Sequence, residues 1–535
     1  MEKIWLKNYE KETNPEIDFS TVELSLPKIL ANCVRQYSEK LAIKQKNKAI
    51  CYREFDILTA TIAGNLKLFG LDRQDKVCVL LPNLPETILS FWSIERAGLV
   101  AVMTNPAYSE RELLHQIVDS DSKVIITTDV NAPKVINLMD QTPLKYVFVV
   151  NTANETVAYS NKVLPWDELL VENMGYTCKS INPDEDLAVL QYTGGTTGIS
   201  KGCMLTHKNV ASNAYMLLET FKTLLNNGDE RFVGVLPYFH VYGLQLTVVY
   251  PILIGGTMLP LTRFTAHSLL SLLMTEKITV MASAPSIFSA CLTQKDIDYY
   301  DISSVKLVIS GSAPLPVALL KNFEDRTGAV IVEGYGLSEA SPVTHLSPIT
   351  AEKRKFGSIG FPLVSTDAKI VDVEYGIKEL EVGKNGELCI RGPQVMKGYY
   401  KNVAASKEVL TDGWLHTGDI AYCDEEGYFF ITDRKKDLII CGGFNVYPRE
   451  VEEVLYQHPL IAEACVVGVN NDLRGEDVKA FIVKNPGANL TEKDIVAFCR
   501  ERLANYKVPR HIEFMEALPK SSVGKILRRE LRERK

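Results

Sequence analysis

A stretch rich in glycine and threonine, residues 191–202, combines residue types that can hold a nucleotide polyphosphate. Glycines let the backbone turn sharply and bring N–H groups close to an anion, threonines add hydroxyls, and Lys201 adds a positive charge. Residues 187–190 predict a buried strand that leads into the loop, and residues 207–221 predict a helix whose N-terminus would lie near it. The loop residues are Thr193, Gly194, Gly195, Thr196, Thr197 and Gly198.

The loop lacks the common phosphate-binding pattern Gly-x-x-x-x-Gly-Lys-Ser/Thr. It reads Thr-Gly-Gly-Thr-Thr-Gly-Ile-Ser-Lys-Gly, which resembles the signature loop of the adenylate-forming superfamily. That superfamily includes acyl-CoA synthetases, firefly luciferases and the adenylation domains of peptide synthetases. Taken alone, the loop is equally well explained as a flexible glycine–threonine turn, so the other motifs have to decide.

Two further motifs follow predicted strands, at the edge where open α/β sheets bind ligands. Residues 333–339 offer an aromatic face for a purine, a hydroxyl and a carboxylate able to hold Mg²⁺. They resemble the Tyr-Gly-x-Thr/Ser-Glu motif of the superfamily, which implies that Glu339 and Thr193 serve the metal. Residues 310–315 alone would be a turn before a helix. The resemblance assigns to the ATP or AMP site Gly311, Ser312, Ala313, Glu333, Gly334, Tyr335, Gly336 and Ser338.

The segment 414–437 carries two more matches. Residues 414–419, Trp-Leu-His-Thr-Gly-Asp, resemble the Thr-Gly-Asp motif, which implies that Asp419 binds both ribose hydroxyls. In residues 433–437, Asp-Arg-Lys-Lys-Asp, the resemblance makes Arg434 the second ribose ligand and Lys436 the hinge of a rotating C-terminal domain. Without the family, such a charged run is a solvated linker.

The last motif, residues 519–528, places Lys525 on a glycine-containing turn. Lys525 matches the catalytic lysine of the superfamily, where a cation lowers the barrier as a carboxylate attacks the α-phosphate of ATP. Residues 440–448 resemble the segment that lines the CoA tunnel once the small domain has rotated, which implies contacts of Gly443 and Phe444 with CoA. The six motifs occur in the family order over nearly the whole chain.

Residues 238–244, Tyr-Phe-His-Val-Tyr-Gly-Leu, align with the stretch that forms the acid pocket in the superfamily. This resemblance implies an acyl pocket of His240, Val241, Tyr242, Leu244 and Gly334, with His240 beside the bound carboxylate as a catalytic residue together with Lys525 and Glu339. An aspartate for an amino-acid ammonium is absent, which disfavours amino acids. Aromatic acids stay an alternative, because phenolic-acid ligases carry a similar stretch. Leu244 stands where some long-chain enzymes have a gating tryptophan.

The pattern of apolar runs predicts an α/β fold. Short apolar runs alternate with helical patterns up to about residue 332, which predicts largely parallel sheets covered on both faces, and a β-rich subdomain follows from about residue 355. We expect a large N-terminal adenylation domain, residues 1–433, and a small mobile α+β domain, residues 434–535. The predicted strands are 77–81, 100–103, 124–126, 146–150, 232–236, 278–281, 305–309, 330–332, 386–391, 464–469 and 478–483. The predicted helices are 25–40 with Ser25 as N-cap, 55–69, 85–97, 110–120, 266–277, 315–326, 448–458 and 491–503, the last with a capping box of Thr491 and Asp494.

Composition narrows the class of protein. The 535 residues carry a net charge of −7, which disfavours nucleic acid as a partner. The eleven cysteines form no Cys-x-x-Cys pair, and the eight histidines show no zinc-ligand spacing. Residues 241–262 carry no charge but contain prolines and glycines that favour core over a membrane span. We expect a cytoplasmic protein with at most peripheral membrane contact.

The sequence therefore predicts an ATP- and Mg²⁺-dependent fatty acid–CoA ligase, with fatty acid, ATP and CoA as its small-molecule partners. Residues 4–9, 105–113, 333–341 and 433–448 resemble bacterial long-chain fatty acid–CoA ligases, which favours fatty acids. Three different functions stay open: an aryl-CoA ligase of the 4-coumarate or benzoate type, a fatty acyl-AMP ligase that loads a carrier protein, and a silent acyl- or nucleotide-binding or uptake protein. A homodimer is compatible with the sequence, which does not fix the oligomeric state.

Overall fold

The computed structural model describes residues 3–193, 200–441, 444–471, 475–521 and 525–534, with backbone only at 444 and 445. Strands in these ranges are β1 Leu41–Gln45, β2 Lys48–Cys51, β3 Lys76–Leu80, β4 Val100–Met103, β5 Ser122–Thr128, β6 Tyr146–Val150, β7 Val163–Pro165, β8 Leu187–Thr193, β9 Lys201–Thr206, β10 Arg231–Gly234, β11 Thr257–Pro260, β12 Val280–Ser283, β13 Leu307–Ser310, β14 Ile331–Gly336, β15 Val343–Leu346, β16 Phe361–Pro362, β17 Asp367–Val371, β18 Gly386–Arg391, β19 Gly398–Tyr399, β20 Leu410–Thr411, β21 Trp414–Cys423, β22 Phe429–Arg434, β23 Ile439–Cys441, β24 Phe444–Val446, β25 Ile461–Asn471, β26 Gly475–Lys484 and β27 His511–Met515.

The helices connect these strands. They are α1 Leu26–Tyr37, α2 Tyr52–Leu68, α3 Pro85–Ala97, α4 Glu110–Ser120, α5 Ala132–Leu138, α6 His207–Phe221, α7 Val241–Leu244, α8 Tyr250–Ile254, α9 Ala266–Thr275, α10 Pro285–Leu292, α11 Val317–Thr327, α12 Val403–Val409, α13 Pro448–Tyr456, α14 Glu492–Arg500 and α15 Arg528–Arg532. The turns between α7 and α8, Gln245–Val249, are π-helical.

An eight-stranded sheet has the order β19-β9-β8-β4-β3-β5-β6-β7. Its strands are parallel from β8 to β7, while β8, β9 and β19 pair in antiparallel fashion. Alternate residues of β3 enter different cores, because Val77 and Val79 pack with helices α1 to α3 and Cys78 and Leu80 pack with α4 and α5. This arrangement confirms the predicted sheet with both faces covered.

A nine-stranded sheet has the order β16-β15-β14-β13-β12-β10-β11-β1-β2 and is parallel from β14 to β1. The carboxyl ends of β12, β13 and β14 lie side by side at one edge, because the register pairs Ser283 with Ser310 and Ser310 with Glu333. This edge carries two of the predicted motifs. The apolar stretch 241–262 forms α7, the π-helical turns, α8 and β11, almost all buried, so its assignment to the core is confirmed.

A third sheet, β17-β18-β21-β20 with β22 paired to β21, forms the predicted β-rich subdomain. A fourth sheet, β24-β23-β26-β25 with β27 paired to β26, belongs to a separate C-terminal domain. Its own apolar core is formed by residues of these strands together with α13 and α14. The capping box is present, since Thr491 accepts the N–H of Asp494 and the Asp494 carboxylate accepts the N–H of Thr491.

One prediction about local structure is wrong. The helix over His207–Phe221 exists, but β9 lies between it and the glycine–threonine loop, so the helix begins at the far end of the β8–β9 hairpin, where Leu187 pairs with Thr206. A strand forms there because Gly202-Cys-Met-Leu205 is an apolar run that pairs with buried β8. Ser25 is the N-cap residue of α1, as predicted, although its side chain makes no capping hydrogen bond.

Among the helices of the described ranges, none is both long and apolar enough to cross a bilayer.

Candidate active site

The strands on either side of the glycine–threonine loop, β8 and β9, pair in antiparallel fashion. Thr193 at the end of β8 pairs with Lys201 at the start of β9, and the Ser200 hydroxyl donates to the Thr193 carbonyl. The imidazole Nε2 of His115, on α4, lies 3.1 Å from the Ser200 carbonyl oxygen. The predicted ligands between these ends, Gly194, Gly195, Thr196, Thr197 and Gly198, lie outside the described residues.

The predicted ribose ligands are brought together by two adjacent strands. Asp419 on β21 faces Arg434 on β22, and Nε of Arg434 lies 3.0 Å from Oδ1 of Asp419. The other carboxylate oxygen accepts a 2.6 Å hydrogen bond from the hydroxyl of Tyr335, the aromatic residue of the β14 motif. Burial and the neighbouring Asp419 charge raise the pKa of Tyr335 well above its usual value, so the phenol stays a donor. These three side chains, predicted from separate motifs, form one cluster.

Glu339 lies in a short 3₁₀ turn after β14 and contacts a residue that the sequence motifs missed. The Tyr399 hydroxyl donates a 2.7 Å hydrogen bond to Oε1 of Glu339. The Lys201 ammonium lies 5.0 Å from the centre of the Tyr399 ring, within range of a cation–π interaction. Tyr399 thus connects the loop lysine to the predicted metal ligand. It stands 60 residues from Glu339, and the run Lys-Gly-Tyr-Tyr at 397–400 is the signal that could have marked it.

His240 is the N-cap residue of α7, and its Nδ1 accepts the backbone N–H of Tyr242 at 3.2 Å. Burial, with the charge of Lys525, lowers the pKa of His240 to about 4. The ring is therefore neutral at pH 7, and because Nδ1 accepts, the proton sits on Nε2. His240 can donate one hydrogen bond from Nε2 to a bound anion without itself carrying charge.

Lys525 reaches this cluster from the C-terminal domain. Its pKa is lowered to about 8, first by burial and then by the positive charge of Arg434, while the negative charge of Asp419 opposes the shift. Its backbone N–H donates to the hydroxyl of Ser521, and its carbonyl accepts the Ser521 N–H at 2.8 Å, so the backbone of Lys525 is held by Ser521. Lys525 therefore interacts electrostatically with Asp419 and Arg434, and its charge also acts on His240.

The motif after β13 packs closely against Tyr242 at the edge of the sheet. An ideal Cβ on Gly311 would lie 3.1 Å from the Tyr242 ring, and the Tyr242 hydroxyl donates to the Ile309 carbonyl at 3.1 Å. Ser312 has a φ of 70°, and its hydroxyl is buried without a hydrogen-bond partner among the described residues. Ala313 follows, half-buried, in the same turn. The unsatisfied hydroxyl marks this turn as a place where a ligand could contribute a hydrogen bond.

The β14 motif contains a closely packed glycine, Gly336, and a glutamate with a raised pKa, Glu333. A Cβ on Gly336 would lie 2.0 Å from the Pro342 carbonyl oxygen, so no side chain fits there. Gly334 is paired with Leu346 of β15. Burial raises the pKa of Glu333 to about 7, while the positive charge of Arg449 in the C-terminal domain opposes that rise. Ser338 is half-buried beside Glu339 at the end of this motif.

The remaining predicted residues differ in their surroundings. Val241 and Leu244 are fully buried in the main apolar core, and Tyr242 is buried in the second core. Lys436 is exposed in the turn between β22 and β23, which is closed by Asp437 and Leu438 N–H bonds to the Arg434 carbonyl. Gly443 lies outside the described residues, and of Phe444 only the backbone, in β24, is described.

Comparison with known proteins decides the family. Residues 30–400 match the sequence model of the AMP-binding enzyme family, and residues 450–525 match the model of the AMP-binding enzyme C-terminal domain. The chain belongs to the AMP-binding enzyme family. The resemblance to the adenylate-forming superfamily is thereby confirmed.

Relatives and solved structures agree with this assignment. A long-chain-fatty-acid–CoA ligase from Bacillus subtilis (strain 168) is 41% identical over 99% of this chain and 98% of its own length. A probable 4-coumarate–CoA ligase 1 from Dictyostelium discoideum is 34% identical over 88% of each chain. The crystal structure of ATP-bound MatB from Rhodopseudomonas palustris superimposes with a TM-score of 0.88 at 29% identity, over 96% of this chain and 99% of that one.

Proposed function

We propose that this AMP-binding enzyme is an ATP-dependent fatty acid–CoA ligase. It forms acyl-AMP and pyrophosphate from a fatty acid and ATP, and then acyl-CoA and AMP. The observation that carries the proposal is the position of Lys525, which the C-terminal domain presents within electrostatic reach of Asp419, Arg434 and His240. A lysine that interacts electrostatically both with the proposed ribose ligands and with a neutral histidine is suited to join an acid to a nucleotide.

The first half-reaction follows from these side chains. Asp419 and Arg434 would hold the ribose hydroxyls, and the Tyr335 ring would lie against the purine. His240 would donate its Nε2 proton to the carboxylate of the acid in a hydrogen bond and orient it, without adding a charge that lowers its nucleophilicity. When a carboxylate oxygen attacks the α-phosphorus and pyrophosphate leaves, negative charge grows on the phosphoryl oxygens, and the Lys525 ammonium would stabilise it.

Mg²⁺ fits the residues present. Mg²⁺ takes oxygen ligands and is commonly held by one or two carboxylates together with substrate phosphates. Glu339 offers one carboxylate oxygen to Tyr399, and its second oxygen makes no hydrogen bond within the described part of the chain. Glu339 and the Thr193 hydroxyl would hold the metal, which would neutralise phosphate charge during the transfer.

The second half-reaction needs a different face of the C-terminal domain. We propose that the chain divides into residues 1–433 and 434–535, and that rotation about Lys436 moves Lys525 away and brings the segment around Gly443 and Phe444 to the site to contact CoA. The exposed position of Lys436, in a turn closed by N–H bonds of Asp437 and Leu438 to the Arg434 carbonyl, supports a hinge here, because its own side chain would not have to repack when the backbone rotates.

The fatty acid is favoured over other acids by the full-length similarity to the long-chain-fatty-acid–CoA ligase of Bacillus subtilis. The similarity to a probable 4-coumarate–CoA ligase makes an aryl-CoA ligase the second candidate. A ligase that transfers the acyl group to a carrier protein, and a silent binding or uptake protein, rank below these two. A cytoplasmic location, at most peripheral membrane contact and a homodimer belong to the same hypothesis, and liposome flotation and sedimentation velocity test the last two.

The deciding experiment is ATP–pyrophosphate exchange with fatty acids of increasing length and with benzoate and cinnamate, run beside CoA-dependent release of AMP. We expect exchange with fatty acids and a turnover that CoA stimulates. Exchange with aromatic acids alone would favour the aryl-CoA ligase. Exchange that CoA does not affect would assign the acceptor to a carrier protein, and no exchange with any acid would refute the ligase.

A further inference from the structure

Helix α13 of the C-terminal domain is hydrogen-bonded to strand β22. Arg449, the second residue of α13, donates from Nη1 to the Ile431 carbonyl at 2.9 Å. Its backbone N–H donates to Oδ2 of Asp433 at 3.1 Å. Ile431 and Asp433 belong to the proposed N-terminal domain, residues 1–433, so both hydrogen bonds cross the proposed boundary between the domains.

Asp433 caps α13 from outside the C-terminal domain. The first N–H groups of a helix have no partner within the helix, and Tyr447 at the N-cap position makes no side-chain capping bond. The Asp433 carboxylate accepts one of these N–H groups and places a negative charge at the positive end of the helix. Its other oxygen accepts the Arg434 N–H at 2.7 Å, which orients the carboxylate. The start of α13 is therefore stabilised by a residue of the N-terminal domain.

The guanidinium of Arg449 interacts with acidic groups of both domains. Its side chain is only 11% exposed, and its Nε lies 3.8 Å from Oε1 of Glu453 on α13. Its positive charge also acts on Glu333 of β14, where it opposes the rise in pKa that burial causes. A buried charge is costly unless it is paired and hydrogen-bonded. The surroundings that stabilise the Arg449 side chain therefore come from the two domains together.

The proposed rotation about Lys436 would separate these groups. Ile431 and Asp433 precede Lys436 in the chain and Arg449 follows it, so a movement of α13 away from β22 breaks both hydrogen bonds. The contacts of Arg449 are thus made in the same pose in which Lys525 interacts with Asp419 and Arg434. Contacts that exist in one pose only shift the equilibrium between two poses toward that pose.

We propose that Arg449 is a positioning residue that stabilises the pose of the C-terminal domain required for the adenylation step, and that its bonds to β22 break before CoA is used. The inference rests on the proposed function and adds to it a residue that sets the balance between the two poses. Arg449 is not among the residues assigned above to the nucleotide, the metal, the acid or CoA, and it acts through the position of α13. The loss of one hydrogen bond from a charged group shifts such an equilibrium roughly 10- to 100-fold.

The test removes the guanidinium from α13. Arg449→Met keeps a long, unbranched side chain that suits a helix but carries neither a charge nor a donor. The matched control is Arg502→Met, because Nη1 of Arg502 also donates to a backbone carbonyl, that of Phe498, at 2.9 Å, and also pairs with a glutamate, Glu501. Both partners of Arg502 lie within the C-terminal domain. The two measured quantities are fatty-acid-dependent ATP–pyrophosphate exchange and the rate of acyl-CoA formation from supplied acyl-AMP and CoA.

In R449M we expect the exchange to fall roughly 10- to 100-fold. Acyl-CoA formation from acyl-AMP should keep at least the wild-type rate, because the second step does not use the bonds of Arg449 to β22. R502M should keep both rates. If R449M does not fold, Arg449→Gln, which also removes the charge, should give the same difference between the two steps.

A folded variant without the Arg449 charge that loses both steps equally, or that keeps the exchange rate of the wild type, would overturn the inference. Either result leaves the proposed function standing, because the wild type would still activate fatty acids. Absence of fatty-acid-dependent exchange in the wild type would instead refute the proposed function, and the inference with it.

Discussion

Arg434 faces Asp419 across the antiparallel pair β21–β22, with Nε 3.0 Å from Oδ1. Asp419 also accepts a hydrogen bond from the hydroxyl of Tyr335 on β14. Its carboxylate therefore connects β14 to β22, the strand that precedes the C-terminal domain. Both Arg434 and Asp419 interact electrostatically with Lys525, so the proposed ribose ligands act on the proposed catalytic cation.

Replacing Asp419 with asparagine should raise the KM for ATP roughly 10- to 100-fold, because hydrogen bonds to a charged group contribute about 1.5–3 kcal/mol. Asp367→Asn is the control, since Asp367 also pairs with an arginine, Arg391, across an antiparallel register. Steady-state kinetics with varied ATP checks both. An equal KM for ATP in the two variants would contradict the role of Asp419.

Tyr399→Phe should lower the apparent affinity of the enzyme for Mg²⁺ and change little else. It removes the hydroxyl that donates to Glu339 at 2.7 Å but keeps the ring beside Lys201, so we expect the Mg²⁺ concentration for half-maximal activity to rise about threefold to tenfold. The neighbouring Tyr400→Phe, which removes a hydroxyl bonded to Asp121, serves as the control. A Mg²⁺ titration in which both variants behave alike would show that Tyr399 does not position Glu339.

The lowered pKa of Lys525 predicts an alkaline limit to the first half-reaction. The protonated ammonium is the active form, and its pKa in the free enzyme is about 8 in place of 10.5, so kcat/KM for ATP should fall about tenfold per pH unit above pH 8. Lys525→Arg should remove this limb, because arginine stays charged. A limb that persists unchanged in the arginine variant would assign it to another group.

Stability of the C-terminal domain should depend on a partly buried ion pair. Arg528 donates to both carboxylate oxygens of Glu452, and Glu452 also accepts the Val466 N–H at 2.7 Å. Arg528→Ala leaves the Glu452 charge without its partner, and we expect a loss of about 3 kcal/mol in the free energy of unfolding of this domain. Arg529→Ala, in an exposed pair with Glu533, should leave the free energy of unfolding nearly unchanged, because water screens such a pair.

Urea denaturation of both arginine variants measures this difference. Because Arg528 is also within electrostatic reach of Lys525, the comparison is made on stability and not on activity. Equal losses in the two variants would mean that the Arg528–Glu452 pair does not stabilise the domain.

The sequence predicted the parallel strands well because each is a short apolar run that packs on both sides, as in β4 and β6. It missed β9, since Lys201 and Gly202 look like a continuation of the loop and only pairing with β8 makes them a strand. The N-cap position of Ser25 was predicted correctly, and the missing side-chain bond goes with the burial of Ser25, which the sequence does not report.

The candidate site, like the fold, could be predicted only in part from the sequence. Asp419 and Arg434 suggested nucleotide binding only through the family resemblance. Their mutual contact depends on the pairing of β21 with β22, and the hydrogen bond from Tyr335 to Asp419 joins strands of two different sheets, 84 residues apart in the chain. The neutral state of His240 follows from its N-cap bond and its burial, neither of which a single sequence reports. Tyr399 was missed for the same reason, because its role exists only through Glu339.

The most direct test of the account separates the two half-reactions in Lys525→Ala, with Lys520→Ala, which removes a surface ion pair with Glu463, as the control. The account predicts that K525A loses fatty-acid-dependent ATP–pyrophosphate exchange while it still forms acyl-CoA from supplied acyl-AMP and CoA at nearly the wild-type rate. Lys520→Ala should keep both activities. Retained exchange in K525A, or equal loss of both half-reactions, would contradict the role of Lys525 as the cation of the adenylation step.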